Sequence, residues 1–200
     1  MTEVSPELMA ACFSQIAVGG WYRFSVAEAA QVAGIPLDAA RRQIGCRAGF
    51  LLAFGRMADA AAVAGAQGEG APRDRLFDVL MRRIDVLQAH RDGVTALLKG
   101  VMFDPAAALL LATASLSSMG WLLAAAGLEA SGPLGQLRRK GLLAVWLWTV
   151  RAWQRDTSED LSATMAALDQ SLGKAGQIAG WIQGQAPTEP AADPLPDSAV

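Results

Sequence analysis

The chain has 200 residues, of which 52% are hydrophobic and 18% charged, and its formal net charge is −2 at pH 7. This length allows one or two domains with a buried core, and the abundant alanine and leucine predict an all-α protein. The slightly acidic balance argues against a surface coated in nucleic acid, and two cysteines and a single histidine without metal-binding spacing argue against a metal, a cofactor or an enzyme.

A helix-turn-helix pattern over residues 25 to 56 is the most specific local signal, and a first helix is predicted before it over residues 5 to 18. Ser25 and Glu28 have the spacing of a capping box, which fixes the start of a helix. Gly34 ends that helix because glycine tolerates the left-handed conformation of helix ends. A second helix then follows after a tight turn, which is typical of this motif.

The second helix of the motif has an apolar side, formed by Leu37, Ala40 and Ile44 and predicted to face the core. Between residues 37 and 56 four arginines outnumber a single aspartate, which gives a compact basic patch. Arginine binds phosphate with a bidentate fork, and glutamine can hydrogen-bond adenine. The DNA-binding candidates are Arg41, Arg42, Gln43 and Arg47, and the alternative is an ordinary solvent-exposed surface.

A longer helix is predicted from Arg47 to about residue 66, followed by a glycine- and proline-rich loop over residues 65 to 72. The composition changes after this loop, so the domain boundary is placed near it, although the long helix can belong to both parts. The predicted division is a helix-turn-helix domain over 1–56, a helical ligand-binding and dimerisation domain over 57–182, and a disordered proline-rich tail over 183–200.

Two helices open the second part, over residues 73 to 89 and 91 to 101. The first of these is strongly amphipathic, with leucine and isoleucine on its inner face. Its charged residues, Arg82 and Arg83 among them, are predicted to form a solvated outer face.

Residues 105 to 128 include no charged side chain and are long enough to cross a bilayer. Serine, threonine and glycine within the segment, and the lack of basic asymmetry at its ends, favour a buried helix that lines a cavity over a membrane span. With no signal-peptide pattern at the N-terminus, we expect a cytoplasmic protein without a transmembrane segment. The ligand-binding candidates are Met102, Phe103, Met119, Trp121 and Trp146, and plain core packing is the alternative.

The last two predicted helices cover about residues 133 to 155 and 158 to 182. The first is apolar on more than one side, so one side is left to pack against a partner. Two such helices from each of two chains would form a four-helix interface, which predicts a homodimer.

This layout resembles the TetR-type transcriptional regulators, which join a helix-turn-helix domain to a larger helical domain for ligand binding and dimerisation. The resemblance implies a DNA-binding repressor that recognises a palindromic operator in double-stranded DNA and is released by a small apolar effector. It also implies that Arg41 and Arg47 occupy phosphate-contacting positions. The matching segments are Gly34-Ile35-Pro36 for the family's turn, Ala40-Arg41 and Ile44 for its recognition-helix residues, and Cys46-Arg47 before Phe50-Leu51 for the start of its fourth helix.

The C-terminal run has a W-x-x-D-x-S-x-D pattern followed by a T-x-x-x-L-D helix, formed by Trp153, Asp156, Ser158, Asp160, Thr164, Leu168 and Asp169. In these residues the chain is similar to the Coq lipid-binding accessory proteins of ubiquinone biosynthesis, which have a TetR-like fold and bind isoprenoid lipid rather than DNA. That resemblance implies the alternative function, a lipid-binding accessory protein without DNA contact.

Overall fold

The computed structural model describes residues 4–64, 66 and 70–182, without the side chains of residues 178–182. Within these ranges the chain forms nine α-helices and one short 3₁₀ turn at Trp21–Arg23, which confirms the all-α prediction. The helices are α1 (Pro6–Gly19), α2 (Val26–Val32), α3 (Leu37–Gln43), α4 (Arg47–Val63), α5 (Pro72–Gln88), α6 (Arg91–Val101), α7 (Pro105–Ala125), α8 (Gly132–Arg155) and α9 (Ser162–Ile182).

The first three helices and the start of α4 enclose a small aromatic core. The ring of Phe50 lies 5.1 Å from that of Phe13 and 5.0 Å from that of Phe24, measured between centroids. All three side chains are at most 2% exposed. Because these rings come from α1, the link before α2 and α4, their burial holds the helix-turn-helix against the rest of the domain.

Helix α4 is continuous from Arg47 to Val63 and packs on α5 and α7 as well as on the N-terminal core. Helix α4 therefore contacts both the N-terminal core and the helices of the C-terminal part. The division at residue 56 stays a prediction, and the tail over 183–200 lies outside the described residues.

Helix α6 joins the two parts a second time by packing on α1 and on the 3₁₀ turn. Two glycines make this close approach possible. A Cβ at Gly93 would lie 2.6 Å from the carbonyl oxygen of Phe13, and one at Gly100 would lie 2.4 Å from the Cβ of Trp21. The indole of Trp21 also donates a 3.0 Å hydrogen bond to Asp104, just before α7.

The remaining helices, α5, α7, α8 and α9, pack side by side, and α8 and α9 form a hairpin. The turn between them is organised by Asp156, which is 4% exposed. Its carboxylate accepts hydrogen bonds from the backbone and hydroxyl of Ser158, at 3.0 and 2.5 Å, and from those of Thr164, both at 2.7 Å. The guanidinium of Arg91 in turn donates to the carbonyls of Trp153 and Asp156.

Three sequence-based expectations are wrong. Arg83 is 4% exposed rather than solvated, because Asp59 of α4 and the ring of Trp146 enclose it. Leu37 is 53% exposed rather than buried, since α3 begins at this residue and its first turn projects from the domain. Helix α9 begins at Ser162 rather than 158, because the preceding residues form the Asp156 turn.

Helix α7 meets the buried-helix prediction on one face only. By length and composition alone it is apolar enough to span a membrane, yet only a third of its most apolar window, 33%, is buried. Met119 and Leu122 are fully buried against the bundle, whereas Leu109 is 67% and Trp121 70% exposed. The helix packs on α4 and α8, so it is a component of the bundle with one apolar face left uncovered.

Candidate nucleic-acid interface and ligand groove

The turn between α2 and α3 has the geometry of a helix-turn-helix. Ser25 caps α2 by accepting a hydrogen bond from the backbone of Glu28 at 3.4 Å. Gly34 has a φ of +68°, which reverses the chain, and the amide of Ile35 donates to the carbonyl of Ala30 at 2.9 Å. The positions of the cap and the glycine turn agree with the prediction from sequence. The reciprocal bond of the predicted capping box is wrong, because the amide of Ser25 donates to the side-chain oxygen of Gln15 at 3.0 Å and the carboxylate of Glu28 accepts from the side-chain amide of Gln15 at 3.0 Å.

The step from α3 to α4 is unusually close. A Cβ at Gly49 would lie 1.8 Å from the carbonyl oxygen of Ile44, so only glycine fits there without moving backbone. Cys46 caps α4 with its sulfur, which accepts from the amide of Gly49 at 3.5 Å. This close packing fixes the angle between α3 and α4.

The side chain of Arg47 is hydrogen-bonded to the backbone of its own domain and is not free to bind a ligand. Its guanidinium donates to the carbonyl of Phe24 at 2.7 Å and to that of Tyr22 at 2.6 Å, and it lies 5.9 Å from the centroid of the Trp21 ring. These bonds satisfy the backbone between the 3₁₀ turn and α2. The main role of Arg47 in the structure is therefore to stabilise the helix-turn-helix.

The other three candidates lie together on α3 with different local partners. Arg42 forms an exposed ion pair with Asp38 one turn earlier, at 2.6 Å. The side-chain oxygen of Gln43 accepts from the amide of Ser5 at 3.0 Å, which ties α3 to the cap of α1. Arg41 is exposed, and within the described residues no hydrogen bond or ion pair engages its guanidinium. Arg41 is thus the cation of α3 most available to a phosphate.

The five predicted ligand-binding residues do not come together. Met102, Phe103 and Trp121 are 79%, 77% and 70% exposed, while Met119 is fully buried in the core. Trp146 is 6% exposed, and the guanidinium of Arg83 lies 4.6 Å above its ring.

A groove of about 710 Å³ lies elsewhere in the C-terminal part, and none of those five residues lines it. It is bordered by the start of α5, the end of α7, the first two-thirds of α8 and the middle of α9. Leucine and valine form its floor, and Trp148, 59% exposed, borders it. The charged groups that line it are three cations, Arg73, Arg138 and Lys174, with no carboxylate among them.

Sequence reasoning missed this groove because its walls come from four helices that are distant in the chain. One signal was present: α8 is apolar on a second side, where Leu137, Gly141, Ala144 and Trp148 recur at helical spacing. The sequence predicts only that one apolar side of α8 packs against a partner, whereas in the single chain the side with these four residues forms one wall of the groove.

The likeness to known proteins is structural and distant. No family model and no curated protein sequence matches the chain. Among solved structures, the chain is similar to that described as "Crystal structure of Mycobacterium smegmatis AmtR", with a TM-score of 0.44 and 16% sequence identity over 94% of this chain and 98% of that one. A likeness at this level carries no argument about function.

Proposed function

We propose that the protein is a DNA-binding transcriptional regulator of the TetR-like type. The observation that supports this most directly is the geometry of α3: a helix fixed at both ends by glycine turns, projecting Arg41 and Arg42 into solvent. A helix held in this way can enter the major groove, where arginine contacts phosphates or guanine edges.

The proposed partner is a palindromic operator read by a homodimer. One recognition helix offers too few cations for tight binding alone, because affinity for duplex DNA increases with the number of neutralised phosphates. Leu147 of α8 is 59% exposed, and Ala163 and Ala166 of α9 are exposed as well, so the outer face of the α8–α9 hairpin is the proposed dimer contact. Two chains related by a two-fold axis would then place two α3 helices on successive turns of DNA.

Release from DNA is proposed to follow binding of a small apolar effector in the C-terminal part of a cytoplasmic protein. The apolar groove supplies a volume within the range of ligand pockets, about 300–1,000 Å³. An effector that binds better to the conformation unable to match both half-sites shifts the population away from DNA. Helices α4 and α6, which contact both parts, are the connections available for this change.

The test is selection of bound fragments from random duplex DNA at low salt. Enrichment of a palindrome by the wild type, lost in Arg41→Ala and kept in the control Arg155→Ala, is the expected result. Arg155 is also an exposed arginine, at the end of α8 and far along the chain from α3. Failure of the wild type to enrich any palindrome would refute the proposal.

The second candidate is a lipid-binding accessory protein without DNA contact. It is favoured by the apolar groove and by the local engagement of Arg42 and Arg47. The residues that resemble the Coq proteins have structural roles here, since Trp153, Thr164 and Leu168 are fully buried and Asp156 organises the turn. A bound isoprenoid or quinone in mass spectra of the gently purified protein, together with no enriched DNA, would replace the regulator with this function.

A further inference from the structure

We propose that the groove between α5, α7, α8 and α9 binds an amphiphile with a long alkyl chain and a single anionic head, such as a long-chain carboxylate. This deepens the proposed function, because it names the chemical class of the effector. The binding itself does not depend on DNA and can be measured without it.

The floor of the groove determines the apolar part of the ligand. Leu76 of α5, Leu123 of α7, Leu142 and Val145 of α8 and Leu172 of α9 line it, and each is at most 8% exposed as a residue of the core. Few polar groups reach this surface, so a rigid polar ligand would lose its hydration without gaining hydrogen bonds. An alkyl chain has no polar groups whose hydration is lost, and each methylene that it buries strengthens binding.

The charges of the groove determine the head group. Three cations line it and no acid does. Arg73 is already paired with Asp169 at 2.7 Å. Arg138 donates only to the backbone carbonyl of Glu129, at 3.1 Å, and neither Arg138 nor Lys174 has an acidic partner among the described residues. Two uncompensated cations beside an apolar surface favour an anion and disfavour a neutral or cationic head of equal length.

Two glycines leave the groove open. Gly141 of α8 and Gly176 of α9 both line it, and a Cβ added at either would meet nothing within 4 Å. A large side chain at these positions can therefore occupy the groove without displacing the backbone. Glycine in a helix interior weakens the helix, so these two positions lower the stability of α8 and α9. The open space that they leave is where we place the alkyl chain of the ligand.

The experiment is calorimetric titration of the full chain with dodecanoate, dodecanol and dodecyltrimethylammonium, each below its micelle concentration. We expect one dodecanoate per chain, weaker binding of dodecanol, none of the cation, and about fourfold tighter binding for each methylene added between octanoate and dodecanoate. Gly141→Trp and Gly176→Trp should abolish binding while keeping the helical circular dichroism of the wild type.

Charge is tested with the double variant Arg138→Gln/Lys174→Gln. Affinity for dodecanoate should fall about tenfold, since contacts to two charged donors are removed, while affinity for dodecanol stays unchanged. Lys140→Gln is the matched control, because Lys140 is an exposed cation of α8 that does not line the groove. Equal affinity for all three head groups, or an unchanged affinity in the double variant, would overturn the anionic assignment.

Occupation by a second copy of the chain is the competing outcome. If the wild type is a dimer that binds no dodecanoate, and Gly141→Trp makes it a monomer, the groove is a subunit interface and the proposal is wrong. These results are independent of DNA binding. If the protein binds dodecanoate but enriches no operator, the groove assignment holds and the regulator proposal is refuted. If it enriches an operator but binds no dodecanoate, only the groove assignment is refuted.

Discussion

Arg83 of α5 and Asp59 of α4 form a buried ion pair at 3.2 Å in the middle of the C-terminal bundle. Ser118 of α7 donates to the same carboxylate at 2.5 Å, and the guanidinium stacks 4.6 Å from the centroid of Trp146 on α8. Four helices therefore meet at one charged cluster. Burial lowers the pKa of Arg83, an effect that the neighbouring charge of Asp59 opposes.

Removing the acid of this pair should destabilise the protein strongly. Asp59→Ala leaves Arg83 buried without a counter-charge, and we expect a loss of about 3–5 kcal/mol in the free energy of unfolding. Asp59→Leu combined with Arg83→Met removes both charges and should cost less than the single change. Urea denaturation measures both, and a double variant less stable than Asp59→Ala would contradict this account.

The contact between Gly49 and the carbonyl of Ile44 predicts a sharp difference between two glycines of one helix. Gly49→Ala forces backbone apart at the start of α4 and should cost about 3 kcal/mol. Gly55→Ala is the matched control, because a Cβ there meets nothing within 4 Å, and it should stabilise the helix by about 0.5–1 kcal/mol. Thermal denaturation followed by circular dichroism distinguishes them, and equal melting temperatures would refute the close packing.

Local sequence signals predicted most of the helices, because caps and glycine turns act within a few residues. Ser25 and Gly34 occupy the cap and turn positions expected of them. The start of α9 was misplaced because Asp156 accepts hydrogen bonds from residues up to eight positions away.

The sites were less predictable, because they depend on contacts between distant helices. The helical period of α5 placed Arg83 on the polar side, yet Asp59 and Trp146 cover that side. Likewise the exposed arginines of the helix-turn-helix were identified from sequence, but not the carbonyls that engage Arg47. Periodicity predicts which side of a helix is polar and does not predict what lies against it.

The pKa of His90, the only histidine of the chain, reports on the contact between α6 and α1. Its ring stacks on Phe13, with centroids 4.6 Å apart, and burial lowers the pKa of His90 below its usual 6.5. The neutral form is thus favoured in the folded state, so this contribution to stability is present above pH 6.5 and is lost as the pH falls below it. Gly93→Ala should separate α6 from α1 and return the pKa towards 6.5, which NMR titration of the single imidazole measures. An unchanged pKa in that variant would contradict the contact.

The Asp156 turn predicts a second pH effect, in the acid range. Hydrogen bonds from Ser158, and then those from Thr164, hold the pKa of Asp156 well below its usual range despite the opposing effect of burial. Its contribution to stability is therefore full above the ordinary aspartate pKa of about 3.9 and is lost as the pH falls below that value. Asp156→Ala should cost about 3 kcal/mol at neutral pH, because buried donors lose their acceptor. Urea midpoints of the variant and the wild type should differ by a constant amount down to about pH 4 and should begin to approach each other only below about pH 3.9. A difference that stays constant down to pH 2 would contradict the assignment.

The arginines of the helix-turn-helix should separate into two classes by stability and by DNA binding. Arg47→Ala removes the donors to the carbonyls of Phe24 and Tyr22, and should lower the unfolding free energy by about 2 kcal/mol. Arg41→Ala breaks no bond among the described residues, so it should leave the free energy of unfolding unchanged. The same variant should bind the selected operator more weakly, and the slope of log affinity against log salt concentration should fall by about 1 per subunit. Arg42→Ala frees Asp38 from an exposed ion pair, which contributes little to stability. Fluorescence anisotropy across a salt series, with thermal denaturation of the same variants, provides both measurements. A variant at Arg41 with an unchanged salt slope would show that α3 does not reach the phosphates.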